Sequence, residues 1–253
     1  MLRGRIIPSL LLRGRGLVKT MKFVDPKYVG DPVNAVRIFN EKEVDELLLL
    51  DVDATKTGKP PQFDLIAEIA QECFMPLAYG GGVRDCESMS KLFNLGIEKV
   101  AINSAAAENP GLVREASQAF GSQSIVVSID VKKKWLGGYE VYTEGGTKRT
   151  GLDPVVFACR MEAHGAGEIL INSIDRDGTM LGYDLDLVSS VSHSVGIPVI
   201  ACGGAGKMRD LSDAIKLGGA SAAAAGSMFV FQGKHRAVLI SYPEYRELEQ
   251  LLA

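Results

Sequence analysis

Cysteine and histidine are scarce in this 253-residue chain: four of one, three of the other, and no Cys-x-x-Cys pair. That spacing argues against a structural zinc site, and neither a metal nor a cofactor is expected. The thiols Cys73, Cys86, Cys159 and Cys202 read as reduced and structural, which fits a cytoplasmic protein. An excess of either charge is lacking too, with 28 Lys+Arg against 31 Asp+Glu and a net charge of −3. That balance carries no footprint of nucleic acid or of an anionic membrane as partner. No run approaches the roughly 18 apolar residues of a membrane span. The opening MLRGRIIPSLLLRGRG imitates a signal peptide, with a basic start and an apolar run. The run is broken by Pro8 and Ser9, stops at Arg13 and has no small-residue cleavage site, so it reads as a first buried strand. Aromatics are few at 7%, while hydrophobic residues make up 46% and glycines number 28. Small apolar residues with many glycines suggest buried parallel strands and phosphate loops, and the chain is long enough to bury a large core.

Short apolar runs recur along the chain: Arg5–Leu12, Glu46–Val52, Pro76–Tyr79, Lys99–Asn103, Ser124–Asp130, Glu168–Ser173, Pro198–Cys202 and Ala222–Gly226. Helical spacing separates them at Asp31–Asp45, Phe63–Cys73, Asn109–Ala119, Pro154–His164, Asp184–Val195 and Asp210–Leu217. Eight strand–helix repeats in about 250 residues match a closed (β/α)8 barrel better than an open doubly wound sheet. An internal duplication supports closure. Asp51-Val-Asp-Ala is answered by Asp175-Arg-Asp-Gly, and Gly80-Gly-Gly by Gly203-Gly-Ala, at nearly the same spacing. The expectation is one barrel over residues 1–253, built from half-barrels of about 1–121 and 122–253. Between Val131 and Gly151 lies an insertion with Trp135, paired glycines and an alternating Tyr139-Glu-Val-Tyr142, which reads as a β-hairpin. It follows the fifth strand and therefore belongs over the mouth, as a surface decoration or as a mobile substrate cover.

Glycines directly after a strand let a backbone approach an anion, and the next helix adds donors. Gly80, Gly81 and Gly82 with Asn103 and Ser104 form one candidate cradle. Asp177, Gly178, Gly203, Gly204, Gly226 and Ser227 form the other. Either cluster alone is explained by tight strand–helix turns; two at symmetry-related strand ends suggest an elongated ligand with a phosphate at each end. Asp130 closes the fifth strand, a position suited to a general acid/base but also to hydrogen bonding of loop amides. Lys19, Asp51, Asp53 and Asn172 are further polar residues expected at the mouth.

The segments RIIP, DELLLLD, GGGVRD, EKVAINSAA, FGSQSIVVSID, GAGEIL, SIDRDGT, GYDLDL and PVIACGGAGK resemble the cyclase subunit of imidazole glycerol phosphate synthase, from Met1 to about Phe231. The resemblance implies a (β/α)8 barrel docked on a glutaminase subunit. Ammonia then enters at the N-terminal face of the barrel and reacts with a bisphosphorylated ligand at the other end. A gate of four charged residues maps onto Arg5, Glu46, Lys99 and Glu168. Phosphate contacts map onto Gly82, Asn103 and Ser104, and onto Asp177, Gly178, Gly204, Gly226 and Ser227. The general base maps onto Asp130 and the substrate-contacting lysine onto Lys19.

The departures alter chemistry. The family has a second carboxylate at the end of the first strand, where this chain reads Ser9-Leu10-Leu11-Leu12 and places Leu11. A leucine can neither hold nor relay a proton. Asn172 replaces a usual threonine, Cys202 a serine, and Tyr79 a small apolar residue; all three are expected at the mouth. With LLLRGRGLVKT, DVDATKTGKPP, FMPLAYGGG and GSMFVFQGKHRAVLISYP, the chain resembles cyclase-like partners in the amidation of bacterial surface-polysaccharide sugars. That resemblance implies ammonia delivery to a separate amidotransferase acting on a nucleotide-linked sugar. An authentic cyclase of histidine biosynthesis and a non-catalytic scaffold that activates the glutaminase are the alternatives.

Overall fold

The computed structural model describes residues 4–252; Met1, Leu2 and Arg3 of the expected first-strand segment, and Ala253, lie outside the described residues. Eight parallel strands form the centre: β1 (Arg5–Arg13), β2 (Leu47–Asp51), β3 (Leu77–Gly80), β4 (Lys99–Ile102), β5 (Ile125–Lys133), β6 (Glu168–Ser173), β7 (Val199–Cys202) and β8 (Ala222–Ala225). Each pairs with the next, and β8 returns to β1 in the register Arg5↔Ala222 to Pro8↔Ala225, which closes the barrel. Closure leaves no open edge in this ring and puts both faces of each strand in apolar surroundings. That burial is why the strands read as near-continuous apolar runs.

Side-chain alternation divides the interior from the outer shell. Inside the barrel Ile7, Leu48, Ala78, Ala101, Val126, Leu170, Ile200, Ala222 and Ala224 form a compact inner core. The outer core lies between strands and helices and includes Ile6, Leu47, Tyr79, Val100, Val127 and Ile169. The helices Pro32–Glu41, Cys86–Asn94, Pro154–Ala163 and Leu185–Ser192 start at Asp31, Asp85, Asp153 and Asp184, whose carboxylates accept amide N–H bonds in the first turn. Such caps are worth about 1 kcal/mol each. Helices Phe63–Gln71, Gly111–Phe120 and Met208–Lys216 complete the ring around the barrel.

Predicted and observed element ends agree within about four residues; the first helix stops at Glu41, short of Asp45, and β5 runs past Asp130. That strand runs on to Lys133 because its last four residues pair antiparallel with Tyr139–Thr143. Tyr139–Thr143 in turn pairs with Lys148–Arg149, so the insertion over 131–151 is the expected hairpin. The larger elements without a counterpart in the sequence reading are a hairpin and two helices. Gly16–Met21 and Val24–Gly30 form a second antiparallel hairpin on the end of β1, with Leu11↔Val18 in register. Cys86–Asn94 is a helix that buries only Met89 and Leu92. Tyr245–Leu252 is a C-terminal helix packed on Met208–Lys216, where Ser212 Oγ donates to Leu251 O at 3.2 Å. Among the described residues no helix is long and apolar enough to cross a membrane.

Candidate active site

A cavity of about 770 Å³ opens at the carboxyl ends of the barrel strands. Asp130, on β5, lines it and is 9% exposed. Its Oδ2 accepts from Asn103 Nδ2 at 3.2 Å and its Oδ1 from Asn172 Nδ2 at 3.3 Å. Burial pushes the Asp130 carboxyl up to about 7; the Asn172 bond works against the rise and the Asp177 carboxylate adds to it. A carboxyl that titrates near neutrality can both take and give a proton at working pH, which general acid–base chemistry requires.

Leu11 lines the same cavity from β1. β1 and β5 are four strands apart in either direction round the ring, so Leu11 and Asp130 come from opposite walls. Both glycine clusters border the cavity as well. Gly82, Asn103 and Ser104 stand on one side; Asp177, Gly178, Gly204, Gly226 and Ser227 stand on the other. Gly82 has φ +72° and Gly204 φ +119°, and an added Cβ would lie 2.6 Å from Lys59 O or 2.3 Å from Gly182 O. Glycine is thus required there by backbone packing in the loops, apart from any ligand. Gly226 makes room instead for Lys19, whose Nζ would lie 2.1 Å from a Cβ at that position.

Lys19 comes from the hairpin after β1 and is 5% exposed, with its ammonium donating to Ser9 O. Burial lowers its pKa to about 8, although Asp177 pulls the other way. The Asp177 carboxylate is itself engaged: Thr20 Oγ1 donates to it at 2.8 Å and Phe23 N at 3.3 Å, fastening that hairpin across the mouth. Its carboxyl is raised by burial, against these bonds and Lys19. The β5 hairpin roofs the other side. Glu144 N donates to Ser104 Oγ at 3.0 Å, and Ser104 donates to Asn103 Oδ1 at 3.2 Å. Glu144 and Gly145 therefore belong to the cavity wall, as do Thr20 and Phe23. Sequence reasoning named none of these four, and the position of the 131–151 insertion over the mouth is a signal for Glu144 and Gly145 alone.

Asn172, Cys202, Asp51 and Asp53 face the cavity as expected. Burial pushes the Cys202 thiol up to about 12. Asp51 is occupied by loop structure: Oδ1 accepts from Asp53 N and Ala54 N, both at 3.0 Å, and Oδ2 from Gln62 Nε2 at 3.1 Å. Asp53 pairs with Arg13 Nε at 2.9 Å. Tyr79 is a correction. It points outward into the shell between strands and helices, fully buried, with its hydroxyl unpartnered. In the four-residue strand Leu77–Gly80 it is Ala78 that joins the inner core, so the alternating residue Tyr79 must face away.

At the opposite end of the barrel Arg5, Glu46, Lys99 and Glu168 close a ring. Arg5 donates through Nη1 to Glu46 Oε2 at 2.5 Å and through Nη2 to Glu168 Oε1. Lys99 Nζ donates to Glu46 Oε2 at 2.9 Å and to Glu168 Oε2 at 3.0 Å. Each carboxylate meets both cations, so the charges alternate round the ring. Burial works against the charge on Arg5, but Glu168 and Glu46 outweigh it and raise its pKa.

The Asp130 environment has a measurable consequence. Its folded-state pKa of about 7 lies above its ordinary value of 3.8, so between those pH values the folded protein holds a proton that the unfolded chain has lost. Stability from this group is complete below about pH 4 and falls as pH rises to 7, by about 4 kcal/mol for a shift of roughly three units. Asp130→Asn should therefore gain stability relative to wild type between pH 5 and 8 in denaturant titrations. A difference that does not change with pH would contradict the buried, protonatable carboxyl.

Parallel strands closed into a ring, with a cavity at their carboxyl ends, define a (β/α)8 barrel, the fold whose enzymes carry their sites at that end. A family model described as "Histidine biosynthesis protein" matches residues 5–236, and the chain belongs to that family. It is 55% identical over 249 residues to "Putative imidazole glycerol phosphate synthase subunit hisF2" of Pseudomonas aeruginosa, covering 98% of this chain and 99% of the relative. It is 49% identical to "Putative imidazole glycerol phosphate synthase subunit hisF3" of Vibrio vulnificus, covering 100% and 97%. With "Putative imidazole glycerol phosphate synthase subunit HisF" of Leptospira interrogans it shares 48% over 252 residues, 99% of each chain.

Proposed function

We propose that this chain is the barrel subunit of a glutamine amidotransferase complex. It receives ammonia from a glutaminase at the end that carries Arg5, Glu46, Lys99 and Glu168. It passes the ammonia through the barrel to the mouth, for amidation of a sugar in lipopolysaccharide or O-antigen biosynthesis by a third protein. One observation carries the reading: Leu11 stands opposite Asp130 at a mouth that keeps its glycine clusters and Lys19, while the charged ring at the other end of the barrel is complete. Loss of the second carboxylate removes the ring-closing chemistry and leaves ammonia delivery intact. The inner core of alanines and other aliphatics supports passage of a small neutral molecule, because it offers ammonia no proton. The test is to co-purify the complex, supply glutamine labelled in its amide nitrogen, and identify the molecule that carries the label. Label in a sugar amide supports the reading; label only in imidazole glycerol phosphate overturns it.

The second reading is an authentic imidazole glycerol phosphate synthase barrel, favoured by Asp130 with its pKa near 7 and by the names of the relatives. Rescue of a histidine auxotroph by this chain with its glutaminase would establish it. In either reading the mouth binds a phosphorylated small molecule. Inorganic phosphate should raise the melting temperature, by the equivalent of about 2.7 kcal/mol at one hundred times its dissociation constant. Gly226→Ala, which drives a Cβ into the Lys19 ammonium, should weaken that response. An unmoved melting temperature at tens of millimolar phosphate would mean that the cradles no longer bind anions.

A further inference from the structure

The segment after β8 carries a basic turn. Phe231–Gln232 and Ala237–Val238 pair as a small antiparallel hairpin, and the turn between them reads Gly233-Lys234-His235-Arg236. Arg236 holds a φ of +49°, a left-handed backbone uncommon for a bulky side chain. Its guanidinium lies 6.0 Å from the Phe231 ring centroid, and Nη2 donates to Gly178 O at 3.2 Å. Gly178 is a wall residue of the mouth cavity, so the turn is fastened to the second cradle.

A guanidinium has five N–H donors. Gly178 O takes one from Arg236, and no carboxylate pairs with it among the described residues. Arg176 packs beside the second cradle, its Cβ 3.0 Å from the place of a Cβ on Gly204, and its Nη1 donates to Leu181 O at 3.4 Å. Lys234 is exposed on the turn. Asp177, the residue before Gly178, already accepts from Thr20 and Phe23. The corresponding place after β4 is different: the short helix Ser104–Glu108 there ends on an acid, whereas the short helix Ser227–Val230 after β8 leads into the basic turn.

We propose that the second cradle takes a diphosphate, one phosphate on the glycine backbone of the cradle and the next against the free guanidinium edge of Arg236, with Lys234 beside it. The inference rests on reading that cradle as an anion site. A second ionised phosphate supplies the bidentate partner that the Arg236 fork lacks, and a monophosphate ester does not reach it.

Calorimetric titration of the full chain with inorganic phosphate, pyrophosphate and UDP at fixed ionic strength tests it. Wild type should bind pyrophosphate at least about tenfold more tightly than phosphate, and Arg236→Gln should remove that advantage while leaving phosphate binding in place. Lys234→Gln should reduce it in part, and gives the same reading if Arg236→Gln fails to fold. Arg114→Gln, an equal charge change on an outer helix, should leave it intact. UDP binding with the same sensitivity to Arg236→Gln assigns the site to an organic diphosphate; pyrophosphate binding without UDP binding assigns it to the free anion. A pyrophosphate advantage that is absent, or that survives Arg236→Gln, overturns the proposal. Failure of phosphate and pyrophosphate alike overturns it together with the anion reading of the cradle, and leaves the labelled-nitrogen measurement to decide amidotransfer separately.

Discussion

Given the bisphosphorylated substrate of the imidazole-forming ring closure and an ammonium salt, this protein should form imidazole glycerol phosphate about 10²–10⁴-fold more slowly than a cyclase with two mouth carboxylates. That range is what one positioned general acid or base contributes. Ring closure divides proton uptake and release between two groups, and here one wall offers Asp130 and the opposite wall Leu11. The two aspartates at the carboxyl end of β2 are already engaged. Asp51 spends both carboxylate oxygens on Asp53 N, Ala54 N and Gln62, and Asp53 is held by Arg13. Leu11→Asp should raise the rate above wild type but not restore it, because Asn172 and Cys202 also face the cavity and differ from the family pattern. Product formation measured with and without the glutaminase checks this. Wild-type turnover comparable to a two-carboxylate cyclase would refute the amidation reading.

Much of the barrel was legible because a closed parallel sheet buries both faces of its strands, so each appears as a short continuous apolar run bounded by glycine or a polar residue. The glycine clusters that border the cavity were legible for a related reason: glycines at strand ends are conspicuous, and the duplication placed them in two symmetric groups. The orientation of Tyr79 was not legible. In a strand of four residues a shift of one decides which face a side chain occupies, and only the register Tyr79↔Val100 with Ala78↔Lys99 fixes it. The hairpin Gly16–Gly30 was missed because the second strand in GLVKTMKFVDPKYVG has five exposed residues in a row, a proline among them, and so lacks an alternating pattern. With it went Thr20 and Phe23, whose bonds to Asp177 join segments more than 150 residues apart. Helix Cys86–Asn94 escaped for want of apolar residues, and its clearest signal was the capping residue Asp85.

Removing Lys99 should affect stability and nitrogen transfer by separable amounts. Glu46 and Glu168 are each 4% exposed, and Lys99 and Arg5 are the two cations that meet them in the ring. Deleting one partner of a buried ion pair costs about 3–5 kcal/mol, because the remaining charge is left desolvated. Lys99 retains 20% side-chain exposure and Arg5 30%, so water relieves part of that loss and a cost of about 2 kcal/mol is expected for Lys99→Met. Lys99→Met keeps the aliphatic length, so any effect beyond stability belongs to the charge. If ammonia passes this ring, the variant in complex with its glutaminase should release glutamate without an equal amount of amidated product, at temperatures well below its melting point. Wild type should keep the two equal. Denaturant titration measures the first effect and the ratio of glutamate to amide product the second. A destabilised variant that still couples hydrolysis to transfer would make the ring a structural ion network and place the ammonia path elsewhere.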